Sequence, residues 1–219
     1  MRLFLVYGGT FDPVHCGHLA IARAARDALD CTVRFMPAGD PPHRATPGAD
    51  AAQRAEMLAL AIDGEPGLVL DRHELDRHAR SYTVDTLTQL RRAQGEAAPL
   101  AWLVGADSLL GLPSWHRWMR LFDLAHLVVA DRPGSALDRD LPPVLADALR
   151  GRWTTEPAAL SNTPGGRVLR LRQPVHAASA TEVRARAGRG ASLYGLVPDA
   201  VAAFIEEKGL YRPVPAASL

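Results

Sequence analysis

What most constrains this chain is a rhythm: short, continuously apolar runs alternate with helical patterns almost from end to end. The runs Leu3 to Tyr7, Thr32 to Met36, Leu68 to Leu70, Leu100 to Val104, His126 to Ala130 and Val168 to Leu171 have strand length and little polar alternation. Strands of that kind are covered on both faces, as in parallel sheets. Between them, apolar residues recur at helical spacing over Leu19 to Leu29, Ala51 to Ile62, Thr83 to Ala93, Trp115 to Phe122 and Leu141 to Leu149. Two more helices are predicted at Thr181 to Ala187 and Asp199 to Lys208. The alternation predicts an α/β fold with a single doubly wound parallel sheet. Ligands of such sheets bind beyond the carboxyl ends of the strands, so functional residues are expected just after the apolar runs.

A length of 219 residues and a hydrophobic share of 47% suffice for one domain with a sizeable core. We expect it to cover residues 1–211, with Arg212 to Leu219 as a frayed tail. Arg132 to Asp140 and Glu156 to Arg167, rich in Pro, Gly, Ser and Asn, read as loops rather than boundaries. The 25 Lys and Arg against 24 Asp and Glu give a net charge of +1, so no global field draws in nucleic acid or an anionic membrane. A small anionic substrate stays open, because a few placed arginines suffice for it. Cys16 and Cys31 allow at most one bridge, too little for a disulfide framework, and a reducing cytoplasm is the expected setting. No run approaches the ~20 apolar residues that span a bilayer, and the opening MRLFLVY lacks the order of a signal peptide.

Candidate chemistry concentrates in Gly8 to His18, GGTFDPVHCGH, between the first strand and the first helix. Glycines there let backbone N–H groups face an anion. His15 and His18, three apart in a first helical turn, put both imidazoles on one face. The free N–H groups and positive end of that helix favour a polyphosphate. A zinc site is the competing reading of two histidines and a cysteine. It is the weaker one, since Cys16 follows His15 directly and projects elsewhere, and no CxxC or HExxH supplies further ligands. A dinucleotide fold begins in the same way, but neither G-x-G-x-x-G nor an acidic residue after Phe35-Met36-Pro37-Ala38 is present, and the Walker A pattern is missing too.

The run GGTFDPVHCGH resembles the signature of the nucleotidyltransferases that share an HxGH motif, and Ser179-Ala180-Thr181-Glu182-Val183-Arg184 is similar to their second, ISSTxxR-like element. Further along stand PPHR at Pro41 to Arg44, SYT at Ser81 to Thr83, GADS at Gly105 to Ser108, PSW at Pro113 to Trp115, RPG at Arg132 to Gly134, and LVPDAV near the end. In this order, over Leu3 to Arg212, they resemble the bacterial nicotinate-nucleotide adenylyltransferases. The resemblance implies a Rossmann-like nucleotidyltransferase domain that transfers AMP from ATP to nicotinate mononucleotide, releasing pyrophosphate and forming deamido-NAD. It also implies Mg²⁺ carried mainly by ATP phosphates and water, small-molecule substrates rather than nucleic acid or membrane, and leaves a homo-oligomer open.

By the same resemblance, Gly8, Gly9, Thr10 and Phe11 cradle phosphate, His15 and His18 bind the ATP phosphates at the transferring centre, and Arg184 holds the departing pyrophosphate. Ser179 and Thr181 add hydroxyls at a helix start, and Arg132 lies near the adenine. Trp115 is expected to stack on the pyridine ring, with the nicotinate carboxylate near Thr83 and Tyr82 and a ribose hydroxyl on Asp107. His43 and Arg44 match a loop that closes over substrate. Other residues have plainer readings. Asp12, followed by Pro13, reads as a turn and capping residue rather than a catalytic acid. Without the resemblance Asp107 would merely cap the helix after it. Arg186 and Arg189 read as solvated, Trp118 and Trp153 as core aromatics, and Cys16 as incidental. Two positions depart from some relatives: Ala38 stands in place of asparagine and His116 in place of tyrosine. A histidine at 116 could donate to the carboxylate, making affinity pH-dependent near its ordinary pKa of ~6.5. Phosphopantetheine adenylyltransferases lack the SYT, GADS and PSW set, and a non-catalytic nucleotide sensor would be expected to lose His15, His18 or Arg184.

Overall fold

The apolar runs become strands because each is covered on both sides. Along β1 (Phe4–Gly9) Leu5 and Tyr7 enter one core while Val6 enters another. Along β4 (Leu100–Gly105) Ala101 and Leu103 divide from Leu100, Trp102 and Val104 in the same way. With β2 (Val33–Pro37), β3 (Leu68–Leu70), β5 (His126–Asp131), β6 (Trp153–Thr154) and β7 (Val168–Arg172) they form one sheet in the order β3-β2-β1-β4-β5-β7-β6. Every strand pair is parallel. The computed structural model describes residues 2–39, 48–77, 82–131, 137, 141–172 and 176–213.

Two helical layers close the sheet. The first core is covered by α1 (Cys16–Leu29), α2 (Ala51–Ile62), α7 (Ala180–Gly188) and α8 (Asp199–Glu207), through Leu19, Ala22, Met57, Leu58, Val183 and Phe204. The second is covered by α3 (Thr83–Gln94), α4 (Ala106–Leu110), α5 (Leu121–Leu124) and α6 (Pro143–Leu149), through Leu87, Leu109, Leu121, Leu145 and Leu149. The doubly wound parallel sheet expected from the alternation is therefore present. No helix among the described residues is long and apolar enough to cross a membrane.

Three local expectations need correction. The helical spacing over Trp115 to Phe122 yields a helix only at α5, preceded by 3₁₀ turns at Leu112–Ser114 and Trp118–Arg120. Arg117 between them sits at φ 50°, in the left-handed region, where a right-handed helix cannot continue. Trp153 is no core aromatic: it is 40% exposed on the two-residue edge strand β6, which is too short to show any periodicity. Finally, α1 begins at Cys16 rather than Leu19, so its first turn takes in the glycine of the HxGH run.

Polar groups inside this frame are held by backbone carbonyls. The Arg91 guanidinium, from the inner face of α3, donates to the carbonyls of Leu124, Gly95 and Pro164 and so stitches three loop ends together. His126 opens β5 fully buried; its Nε2 donates to the Thr163 carbonyl at 2.8 Å and its Nδ1 accepts from the Arg167 N–H at 3.1 Å. Only the neutral ring satisfies both bonds, and burial holds its pKa below 6.5. The unfolded chain takes up a proton that the folded one refuses. Stability is therefore full above pH ~6.5 and falls as the pH drops below that value. Thermal unfolding followed from pH 8 to pH 5 should show that decline, and His126→Gln should flatten it; an identical slope in the variant would remove His126 as its source.

Candidate active site

The chain order reverses between β1 and β4, so their carboxyl ends flank a crevice of the kind in which doubly wound sheets bind ligands. Gly8 and Gly9 are the last two residues of β1, paired with Met36 and Pro37 of β2, rather than part of a free loop. Packing explains both glycines. A Cβ on Gly8 would lie 1.9 Å from the ring of Trp102 on β4, and one on Gly9 would lie 2.9 Å from the ring of Phe11. The two aromatic rings occupy the volumes that side chains would need. Phe11 itself takes φ 50° and turns its ring inward, 3% exposed, so only its backbone faces the crevice.

His15 is the N-cap of α1 and His18 its third residue, and their rings stack at 3.7 Å between centroids, 25° from parallel. The i, i+3 expectation is met. The His15 N–H donates to His18 Nδ1 at 3.3 Å, which leaves Nε2 of His18 as the ring's proton-bearing nitrogen. Phe11 meets the His18 ring edge-on at 5.0 Å and Tyr7 at 6.0 Å, so aromatic faces fix its tilt. His15 is 9% exposed, and its Nδ1 has no hydrogen-bond partner. Burial pushes its pKa down to about 4, and the neighbouring His176 adds to that. Gly17 completes the motif by absence, since a Cβ there would press on the His15 ring at 3.0 Å and on the Ala178 carbonyl at 3.2 Å. Cys16 faces other charges, those of Arg23 and Asp199, so it does not converge with the histidines.

Asp12 is a tie point, in keeping with its reading as a turn residue. Its carboxylate accepts from the N–H groups of Gly48 at 2.8 Å and Ala49 at 3.1 Å, just ahead of α2, and from the Tyr211 hydroxyl at 2.8 Å. The peptide between Asp12 and Pro13 is cis. Arg54 lies beneath, 1% exposed, donating to the carbonyls of Thr10 and Gly39 at 2.8 and 3.0 Å. From α7, Arg184 donates to the Asp12 carbonyl at 2.6 Å and reaches the Thr181 hydroxyl at 3.5 Å. Ser179 is the N-cap of α7, its Oγ accepting from the Glu182 N–H. Ser179 and Thr181 are exposed at that helix end. His176, exposed, accepts from the Ala178 N–H through Nδ1 at 3.1 Å and turns its Nε2–H outward. Arg186 pairs with Glu182 on the surface, as its plainer reading had it.

On the other side of the crevice, Tyr82 caps the start of α3 and Thr83 is its first residue. The Tyr82 ring meets that of His116 at 4.7 Å, so the SYT and PSW stretches come together in space. Trp115 follows the 3₁₀ turn, half-buried against the second core; Trp118 packs edge-on to Phe122. Asp107 does not cap α4, whose N-cap is Gly105; its side chain is exposed just past the end of β4. Behind α3, Thr86 donates to the buried Glu74 at 2.7 Å. His43, Arg44 and Arg132 lie outside the described residues. Sequence reading passed over Arg54, Tyr211 and His176. Arg54 had a signal, because it occupies the apolar stripe of Met57, Leu58 and Ala61; Tyr211 had none, because its partner is 199 positions away.

Comparison with known proteins shows which family the chain is similar to. A family profile described as cytidylyltransferase-like matches residues 6–186. A chain from Stenotrophomonas maltophilia, named probable nicotinate-nucleotide adenylyltransferase, is 58% identical and aligns over 98% of this chain and all of that one. One of the same name from Xylella fastidiosa is 47% identical over 95% and 96% of the two chains. The solved structure of Plasmodium falciparum nicotinic acid mononucleotide adenylyltransferase complexed with NaAD superposes with a TM-score of 0.72 at 13% identity, covering 96% of this chain and 98% of that one.

A neutral His15 facing a crevice makes a measurable claim. In the free protein its ring should titrate near pH 4, and a bound triphosphate should raise that value, because a nearby anion favours the charged ring. NMR titration of the ring signals with and without a triphosphate checks this; titration near 6.5 in the free protein would contradict the burial.

Proposed function

This chain belongs to the nicotinate-nucleotide adenylyltransferases of the cytidylyltransferase-like family, and on that premise we propose how its crevice transfers AMP from ATP to nicotinate mononucleotide. The 5′-phosphate of the mononucleotide attacks the α-phosphorus of ATP. A phosphorus–oxygen bond forms to give deamido-NAD, and the bond to the β-phosphate breaks with its electrons going to pyrophosphate. A phosphate is already anionic and nucleophilic, so no general base is needed. Rate comes from holding two anions in line, where positioning alone supplies about 7–11 kcal/mol, and from donors aimed at the developing charge.

The observation that carries this reading is the stacked histidine pair on the N-terminus of α1, beside the loops after β1 and β2, whose Thr10 and Gly39 carbonyls are bonded by Arg54. Carbonyls bonded in this way leave N–H groups and imidazoles as the face offered to phosphate. His18, protonated on Nε2, and His15 bind the ATP phosphates. Arg184, already anchored beside Asp12, keeps donors for the departing pyrophosphate. Ser179 and Thr181 contribute hydroxyls at the start of α7. Thr10 and the backbones of Gly8, Gly9 and Phe11 line the approach. Among the described residues no three His, Cys, Asp or Glu side chains converge as a metal cage. The donor set suits phosphate, and a Mg²⁺ brought in with ATP rests on phosphate oxygens and water, where it neutralises charge.

Acceptor choice sits across the crevice. The free N–H groups at the start of α3, at Thr83 beside Tyr82, receive the nicotinate carboxylate, with the His116 ring against Tyr82 adding a donor. Trp115 stacks on the pyridine, Asp107 takes a ribose hydroxyl, and His43, Arg44 and Arg132 complete the contacts to the mononucleotide and adenine. Hydrogen bonds to a charged group contribute about 1.5–3 kcal/mol each, so one or two favour acid over amide by tens- to thousands-fold.

Purified protein with Mg²⁺, ATP and nicotinate mononucleotide should release pyrophosphate much faster than with nicotinamide mononucleotide or phosphopantetheine. Equal rates with acid and amide would overturn the acceptor assignment, and silence with all three would favour a nucleotide sensor. His18→Ala should lower turnover by about 10²–10³-fold, the usual cost of a lost donor at a developing charge, with unfolding unchanged. Full turnover in that variant would take His18 out of the site.

A further inference from the structure

The described chain returns at its far end to the loop where it began. Tyr211, just past α8, takes φ 64°, a left-handed conformation uncommon for a residue with a side chain. That turn sends its ring inward. Its edge fills the space beside Gly48, where a Cβ would come within 2.8 Å of the ring, and its carbonyl lies against Gly188 of α7. The hydroxyl ends 2.8 Å from Asp12 Oδ1. Strained backbone persists where the surroundings over-determine it, and such positions cluster at working sites.

Three segments meet on Asp12. The start of α2 donates two backbone N–H groups to its carboxylate, α7 sends Arg184 to its carbonyl, and Tyr211 donates its hydroxyl. α2 contributes again through Arg54, whose guanidinium holds the Thr10 carbonyl and lies close enough to feel the charge of Asp12. The carboxylate thus stands near two guanidiniums and hydrogen-bonds to neither: Oδ1 accepts from Ala49 and Tyr211, and Oδ2 from Gly48. Without the Tyr211 hydroxyl, Oδ1 retains only the longer bond from Ala49, and the nearest strong donors able to replace the lost one are arginine N–H groups.

We infer that Tyr211 is a positioning residue for adenylyl transfer, whose hydroxyl holds the Asp12 carboxylate away from Arg184 and so keeps that guanidinium available to the ATP phosphates. The inference rests on the function proposed above. Loss of the hydroxyl closes an Asp12–Arg184 ion pair in place of an Arg184–phosphate contact. The damage falls on the ATP side, and the acceptor side around Thr83, Trp115 and Asp107 is untouched.

Tyr211→Phe tests this, because it removes one oxygen and keeps the ring beside Gly48. The expected result is a fall in kcat/KM for ATP of about 10–100-fold, the scale on which a displaced contact costs rate. KM for nicotinate mononucleotide stays within about twofold, and amide exchange at Gly48 and Ala49 quickens. In an Asp12→Asn background, which lacks the carboxylate that would capture Arg184, adding Tyr211→Phe should cost kcat/KM for ATP little further. Replacing Tyr211 with 3-fluorotyrosine, which keeps the hydroxyl, should keep the ATP parameters and guards against a folding defect. A Tyr211→Phe enzyme with unaltered kcat and KM for ATP, changed only in melting temperature, overturns the inference. A wild-type protein silent with ATP and nicotinate mononucleotide overturns the proposed function instead, and the Gly48 and Ala49 exchange rates still decide whether Tyr211 governs Asp12.

Discussion

Because all the strands run in one direction, every strand ends on the same edge of the sheet, and each connection after a strand begins there. Between β1 and β4 the two halves of the sheet part company, one winding outward through β2 and β3, the other through β5 and β7. At that gap α1 leaves β1 toward one face of the sheet and α4 leaves β4 toward the other. The stacked histidines hang from one side of that gap on α1, and Asp107 from the other on α4. The contact of Trp102 with Gly8 sets how closely the two sides approach, since a larger residue at 8 would drive β1 and β4 apart at their functional ends.

Within the gap, electrostatics work by subtraction. The chain as a whole carries almost no net charge, and His15 is kept neutral by burial. The Thr10 and Gly39 carbonyl oxygens are held by Arg54, and the Asp12 carboxylate is occupied by backbone N–H groups and a phenol. A surface emptied of acceptors attracts a polyphosphate without a large positive field, which would also collect nucleic acids. The neutral His15 ring carries a further advantage, because its protonation can follow the charge that arrives with a ligand.

The fold was legible because its period is regular: continuous apolar runs need two covering layers, and β1 to β5 with β7 all fall on them. The stretch around Arg117 was not, because the spacing of Trp118 and Phe122 reports which side chains share a face and says nothing of a left-handed residue just before them. His15 and His18 were legible as a pair, since i, i+3 geometry is local. Arg54 was half-legible, as a cation on an apolar stripe, but what it holds depends on a loop 44 positions earlier. The packing role of the glycines was illegible for the same reason. Nothing adjacent to Gly8 announces that Trp102 fills its side-chain volume.

The bond between Tyr211 and Asp12 also orders events in time. A ribosome makes the phosphate loop among its first residues and Tyr211 nearly two hundred residues later. Sheet and histidine pair can assemble from what has already emerged, but Asp12 lacks its last partner until the segment past α8 packs home. Long-range contacts of this kind carry the largest loop-closure cost and form late in folding. A chain interrupted before Tyr211 therefore carries the whole GGTFDPVHCGH run and lacks the phenol that bonds its Asp12, so that the loop gains its last bond only as the fold is completed.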